Sequence, residues 1–284
     1  MNNGKAGKLY IVATPIGNLG DMTIRAVEVL KGVDLIAAED TRNSIKLLNH
    51  FEIKTPMTSY HEFNRFDKAD ELVKKMLEGC NVAIITDAGT PCISDPGEVL
   101  VQKCYEAGIE VTSLPGPSAV ITALTLSGFS VRRFVFEGFL PPKAKHRERQ
   151  EALLRIKDET GTIVLYEAPH HLKSCLKDLK NTLGADRQIA LCRELTNKYE
   201  EITRTTIGEA EDMETRGEYV LVIEGKDKNR LREEKQSAFE EMTLNEHMQI
   251  YLDKGMDRKE AMKAVAADRG LSKRDVYNML VSEE

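Results

Sequence analysis

The sequence predicts an α/β protein of two domains, a parallel sheet followed by a mixed sheet, with a small helical extension behind them. Through about residue 120, short apolar runs alternate with helical segments, the pattern of strand-helix-strand units with right-handed crossovers. Beyond that point, β-rich runs at Tyr199–Ile207 and Tyr219–Glu224 follow one another without a long crossover helix, which predicts a mixed or antiparallel sheet. From about Leu244 three short helical segments are joined by tight turns in a spacing that resembles a helix-turn-helix. The expected units are residues 1–120, 121–228 and 237–284.

Within the first unit, Leu9–Ala13 is the first strand, and Asp21 or Thr23 caps a helix to about Lys31. Val33–Ala38, Pro56–Tyr60, Val82–Ile85 and Ile109–Leu114 are the next strands, alternating with helices to about His50, at Phe66–Glu78, from Asp95-Pro96 to Gly108, and at Ala119–Ser127. In the second unit Arg132–Gly138 reads as a strand, Leu140–Arg149 as a basic linker and Gln150–Lys157 as an amphipathic helix. Thr162–Tyr166 is a strand, 171–182 a helix and Gln188–Glu194 a strand, and a short acidic helix separates the last two β-rich runs. The stretch from Lys226 to Gln236 carries almost nothing apolar and reads as an exposed linker. The extension divides into Glu246–Asp253, Asp257–Ala267 and Lys273–Met279.

With 284 residues, 41% of them hydrophobic, the chain can build sizeable cores. Its formal charge of -6 argues against non-specific coating of nucleic acid, which depends on neutralising phosphates. Five cysteines without a C-x-x-C pair indicate neither a disulfide framework nor a zinc site, and adjacent His170-His171 lack the further ligand spacing a metal needs, so no metal is expected. No apolar signal segment is present and no stretch approaches the ~18 apolar residues of a membrane span, so a soluble protein of the reducing cytoplasm is expected.

Three strands of the first unit run into loops of unusual composition. The first enters Thr14-Pro15-Ile16-Gly17-Asn18-Leu19-Gly20-Asp21, the fourth Thr86-Asp87-Ala88-Gly89-Thr90-Pro91-Cys92-Ile93-Ser94-Asp95-Pro96-Gly97, and the fifth Pro115-Gly116-Pro117-Ser118-Ala119. Each loop alone is explained by turn chemistry. Side by side at the carboxyl ends of one sheet, however, they would line a single crevice, the place where open α/β sheets bind ligands. The first loop lacks G-x-G-x-x-G, which excludes a dinucleotide-binding dehydrogenase site. Glu39, Asp40 and Arg42 end the second strand at the same edge, where Asp40 or Thr41 equally suits a helix N-cap.

Taken in order, Ala13 to Thr23, Ala38-Glu39-Asp40-Thr41-Arg42, Thr86 to Pro91, Pro115 to Ala119 and Tyr166-Glu167-Ala168-Pro169-His170 resemble the tetrapyrrole methylase superfamily, more narrowly its ribosomal RNA branch, over about residues 9–225. The branch usually carries Arg after Glu-Ala-Pro-His, where this chain has His171. The resemblance implies two α/β domains that fold S-adenosyl-L-methionine into the cleft between them, a homodimer, and methylation of the ribose 2′-hydroxyl of a cytidine in the decoding region of 16S rRNA. It places Pro15, Asp87, Gly89, Ile93, Ser118 and Ala119 at cofactor-lining positions, joined by Tyr166 and Ala168 from the second domain.

A ribose hydroxyl is a poor nucleophile, so a base or acceptor is sought near it. Glu39, Asp40 and Glu167 are the first candidates, with His61 and Glu194 on other strand-end loops, and each of these residue types also serves as a cap or ion-pair partner. For the RNA, Arg42, Lys143, Lys145, Arg147, Arg149 and Arg193 are the cations expected near the cleft, with Arg258, Lys259, Arg269, Lys273 and Arg274 on the extension. The rival readings are a methylase of a tetrapyrrole or other small acceptor and a non-catalytic nucleotide- or RNA-binding adaptor on the same fold.

Overall fold

The computed structural model describes residues 5–282 except 212, 214, 215 and 241. Asp212, Glu214 and Thr215, in the acidic stretch expected before the last strand, lie outside the described residues.

The first sheet is built from β1 (Lys8–Val12), β2 (Leu35–Ala38), β3 (Met57–Ser59), β4 (Val82–Ile85) and β5 (Glu110–Leu114), all parallel, in the order β3-β2-β4-β1-β5. Both faces are covered. The helices α1 (Ile24–Gly32) and α2 (Thr41–His50) close one face over Val12, Ile36, Ala38 and Ile85. On the other, α3 (Arg65–Leu77) and α4 (Gly97–Glu106) cover Leu9, Ala37, Val82 and Ile84. Burial on both sides is why these strands read as continuous apolar runs rather than alternating ones. Each fully buried Leu or Ile contributes roughly 1.5–3 kcal/mol relative to exposure.

Local signals explain the helix starts. Thr23 caps α1 through its hydroxyl to the Ala26 N–H, and Asp40 caps α2 by accepting from the Arg42 N–H. Ile24, although apolar, points to solvent, because the N-cap phases the helix so that Ala26 and Leu30 face the sheet.

The next helix, α5 (Ala119–Ser127), follows β5 but packs on the second sheet. That sheet comprises β6 (Phe134–Phe139), β7 (Thr162–Glu167), β8 (Gln188–Arg193), β9 (Glu201–Thr206) and β10 (Tyr219–Ile223) in the order β6-β7-β10-β8-β9. Only β6 and β7 pair in parallel; the other pairings are antiparallel, giving the mixed sheet. One face meets α6 (His146–Lys157), α7 (Leu172–Leu183) and the short α8 (Ile207–Ala210). The opposite face, carrying Val164, Ala190, Cys192, Val220 and Val222, receives Val120, Ala123 and Leu124 of α5.

The helical extension differs from expectation at its start. Residues Lys228–Glu240 form a helix, α9, whose described side chains are mostly exposed, as expected, rather than a linker. Ion pairs take the place of an apolar stripe: Lys226 bonds Asp158 and Glu234, and Arg230 bonds Asp186 on the second domain at 2.7 Å. Behind it, α10 (Leu244–Leu252), α11 (Arg258–Arg269) and α12 (Lys273–Ser282) share a core of Leu244, Met248, Ala261, Val265, Val276 and Leu280. Thr243–Glu246 and Asp257–Glu260 are capping boxes that set the first two starts.

Candidate active site

The strand order makes β4, β1 and β5 neighbours, so the three Gly/Pro loops leave the sheet side by side. They are also bonded to one another. The Thr14 N–H donates to the Gly89 carbonyl at 2.9 Å and the Gly89 N–H returns to the Thr14 carbonyl at 3.0 Å. The Thr14 hydroxyl donates to the Thr86 carbonyl, and the Thr90 hydroxyl to the Pro117 carbonyl, each at 3.0 Å.

Glycine is required where the loops close up. Gly89 lies at φ +82°, and a Cβ there would sit 3.2 Å from the Ile16 side chain. At Gly116 it would meet the Ala13 Cβ at 2.7 Å. The 86–97 loop also holds two non-glycine residues at positive φ, Cys92 (69°) and Ser94 (65°), conformations that persist only where surrounding structure enforces them and that cluster at functional sites. Residue type gave no hint of this strain.

The second domain faces these loops. Gly17 of the first loop sits so close to the β8–β9 loop that a Cβ would lie 2.8 Å from the Leu195 carbonyl. Ile16 and Ala119 pack on the same apolar cluster as Phe136 and Tyr166. Gly138 of β6 abuts the Ser94 hydroxyl, 3.1 Å from where its Cβ would be. The structure therefore brings loop residues Pro15, Asp87, Gly89, Ile93, Ser118 and Ala119 to one edge and sets Tyr166 on the facing sheet surface. Burial raises the Tyr166 hydroxyl above its usual range. Asp87 is exposed and accepts from the Asn43 side chain at 3.1 Å, while Ile93 is about half exposed. The Ala168 carbonyl is committed to the His171 and Leu172 N–H groups at the start of α7.

The carboxylates separate by their bonds. At the end of β2, Glu39 accepts the Thr86 hydroxyl on Oε2 at 2.6 Å, and its Oε1 has no hydrogen-bond partner among the described residues. Asp40 commits both oxygens to Arg42, and these hydrogen bonds hold its carboxyl at about 2. It is an ionised cap and a poor proton acceptor, the alternative that its position before a helix left open.

Glu167 is a correction. Side chains alternate along β7, so with Val164 and Tyr166 on the cleft face, Glu167 turns to the opposite one and is buried among α6 and α7. There it accepts from the Ala168 N–H, and after burial itself it is the main cause pushing the Cys175 thiol up. Glu194 is likewise spent, accepting from the Glu218 N–H and the Asn197 amide. His61 keeps a buried Nδ1 with no hydrogen-bond partner among the described residues.

Among the cations, Lys143, Lys145 and Arg147 are exposed, the last two in pairs with Glu148 and Glu151 that cost little to open. Arg42 is exposed and pairs with Asp40. Arg149 is a second correction. The helix begins at His146 rather than Gln150, which carries Arg149 inward to bond Asp178 at 2.7 Å and the Pro141 carbonyl at 2.8 Å, so it is not a surface cation. Arg193 bonds Glu201 at 2.8 Å, and Arg269 is turned into the extension toward His247 and the Met242 carbonyl.

A separate cavity of about 590 Å³, lined by Arg133, Gly161, Arg187, Glu224, Lys226 and Arg230 among others, lies at the amino ends of β7 and β8. It shares no residue with the cleft.

Comparison with known proteins agrees with this geometry. The family model for tetrapyrrole (corrin/porphyrin) methylases matches residues 8–211. The chain is 46% identical to the ribosomal RNA small subunit methyltransferase I of Synechocystis sp., with 98% of this chain and 99% of that protein covered. It is also 46% identical to the protein of the same name from Bacillus subtilis, covering 97% of this chain and 95% of the other. Among solved structures, a diphthine synthase superposes with a TM-score of 0.61 at 10% identity, over 78% of this chain and 90% of its own, a likeness of fold. The chain belongs to the tetrapyrrole methylase family, in the branch of the ribosomal RNA small subunit methyltransferase I proteins.

Proposed function

We propose that this protein is an S-adenosylmethionine-dependent methyltransferase of 16S rRNA that modifies the ribose 2′-hydroxyl of a cytidine in the decoding region. The observation that carries the reading is near full-length similarity, at 46% identity, to proteins named for methylating small-subunit ribosomal RNA. The cleft supports it. Gly89 leaves no room for a side chain beside Ile16, the knitted loops hold one rim of the cleft, and Ile16, Ala119 and Tyr166 supply apolar surface for an adenine. These residues fit S-adenosylmethionine, with Pro15, Asp87, Ile93 and Ser118 on the same rim.

When bound, S-adenosylmethionine supplies a methyl group already activated by its positive sulfonium. What the chain adds is position and a proton acceptor. Glu39 is suited to the second task, since the Thr86 hydroxyl fixes one oxygen and leaves the other for the ribose hydroxyl. Lys143 and Lys145 on the loop and Arg147 in the first turn of α6 are exposed cations that hold the phosphates. The protein acts in the cytoplasm as a homodimer. Among the described residues no helix is long and apolar enough to cross a membrane.

The test is methyl transfer from radiolabelled S-adenosylmethionine to small ribosomal subunits. Label in RNA supports the proposal. Label that enters only a tetrapyrrole or another small acceptor, or cofactor binding with no turnover on any acceptor, favours one of the rival readings.

A further inference from the structure

The cleft face of the second sheet ends in three aromatic rings. Phe136 and Phe139 each lie against Tyr166, with centroids 4.9 Å and 5.5 Å away. Phe136 and Tyr166 are partly buried, whereas Phe139 is 58% exposed.

Phe139 reaches this face only because the strand is irregular. Phe134 and Phe136 of β6 have even numbers, and strict alternation would turn Phe139 to the far face with α6 and α7. The register against β7 instead slips between Phe136 and Gly138, a β-bulge with Gly138 in the left-handed region at φ 65°. The slip pairs Phe139 with Tyr166, on the same side of the sheet, and sends Leu140 into the opposite core. An apolar side chain is thus moved from a face where it would be covered to one where it is not. The same bulge sets Gly138 against Ser94 of the β4–α4 loop, so the ring stands one residue from the cofactor rim. On its other side the chain continues into Lys143, Lys145 and Arg147, all exposed.

An open aromatic face beside a run of cations is the arrangement by which proteins hold single-stranded nucleic acid, the ring stacking on a base while the cations follow the backbone. We propose that Phe139, backed by Tyr166, is the platform on which a nucleobase of the RNA stacks while the neighbouring ribose enters the cleft. This rests on the reading of the protein as an RNA methyltransferase. Phe139 is a positioning and specificity residue and takes no part in the chemistry. Its occupant is a base of the RNA rather than the adenine of the cofactor, because the ring lies on the cation side of the bulge.

The chain contains no tryptophan, so Phe139→Trp introduces a single fluorescent reporter at the platform. Its emission should be quenched on saturation with whichever RNA form, subunit or naked RNA, accepts the methyl group, and should be unchanged by S-adenosylmethionine alone. In parallel, Phe139→Ala should raise KM for RNA roughly 10-fold, as loss of one base-aromatic stack does. Phe139→Trp should restore it, and affinity for S-adenosylmethionine should be unchanged in both, which also shows that the variants are folded. An unaltered KM in Phe139→Ala with no quenching by RNA overturns the platform while methyl transfer by the unmodified protein stands. Quenching by the cofactor alone overturns the assignment to an RNA base. Absence of transfer to any RNA by the unmodified protein removes the parent reading and this one together.

Discussion

Thr14 and Gly89 exchange a reciprocal pair of backbone hydrogen bonds, at 2.9 and 3.0 Å, between loops that leave different strands. Through this contact the first and fourth strands' loops form one surface, and a Cβ at Gly89 would lie 3.2 Å from the Ile16 side chain. Gly89→Ala puts a Cβ at a positive φ and into that gap. The expected cost in stability is about 1–2 kcal/mol by thermal unfolding, whereas affinity for S-adenosylmethionine by calorimetry should fall at least tenfold. Unchanged affinity would place the cofactor elsewhere.

Glu39 and Asp40 are adjacent carboxylates with opposite expectations. Glu39→Gln should lower kcat by roughly 100-fold, the lower range for loss of a general base, with cofactor affinity retained. Asp40→Asn keeps a competent N-cap, so activity and stability should change little. A reversal of the two results would move the proton acceptor to Asp40.

The basic segment separates into surface and core. Converting Lys143, Lys145 and Arg147 to Gln should reduce the salt slope of RNA binding by about 2–3, in filter-binding titrations, without altering the melting temperature. Arg149→Gln breaks a buried pair with Asp178 and should instead destabilise the fold by about 3 kcal/mol. A salt slope that follows Arg149 rather than the other three would contradict its interior placement.

In the extension, His247 is fully buried against Phe239, its Nδ1 accepting from Arg269 Nε and its Nε2 facing Asp268, each at 3.2 Å. Burial lowers its pKa below the usual 6.5, and Arg269 adds to the shift against the opposing pull of Asp268. The folded state thus binds its proton less readily than the unfolded one. The stability this gives is complete above 6.5 and is lost as pH falls toward the lower folded value. Hydrogen exchange in α10–α12 should therefore accelerate relative to the two sheets as pH drops below about 6.5, after correction for intrinsic rates, and His247→Gln should flatten that dependence. A profile identical in the variant would remove His247 as its source.

Much of the architecture was legible because burial writes itself into composition. Strands covered on both sides carry unbroken apolar runs, and Gly and Pro concentrate where three of them end, so the carboxyl edge of the sheet stands out in the sequence. What escaped depended on partners distant in sequence. The helix α9 lacks an apolar stripe and is held by Lys226 and Arg230 to carboxylates that include Asp158 and Asp186. Arg149 looks like any surface cation until Asp178 is beside it. Glu167 belongs to a sequence motif shared with the family, yet only strand register decides which face it takes. Phe139 falls between the expected strand and the expected linker, and nothing in its neighbours announces the bulge that turns it.

Whether this cleft delivers a methyl group to a ribose of small-subunit RNA is read from the mass and position of the modified nucleoside. RNA methylated by the protein from isotopically labelled S-adenosylmethionine would be digested to nucleosides and, separately, to fragments mapped by mass. The expected product is one labelled 2′-O-methylcytidine within the decoding region. Label on a base, label scattered over the RNA, or no label in RNA despite tight cofactor binding would contradict the account.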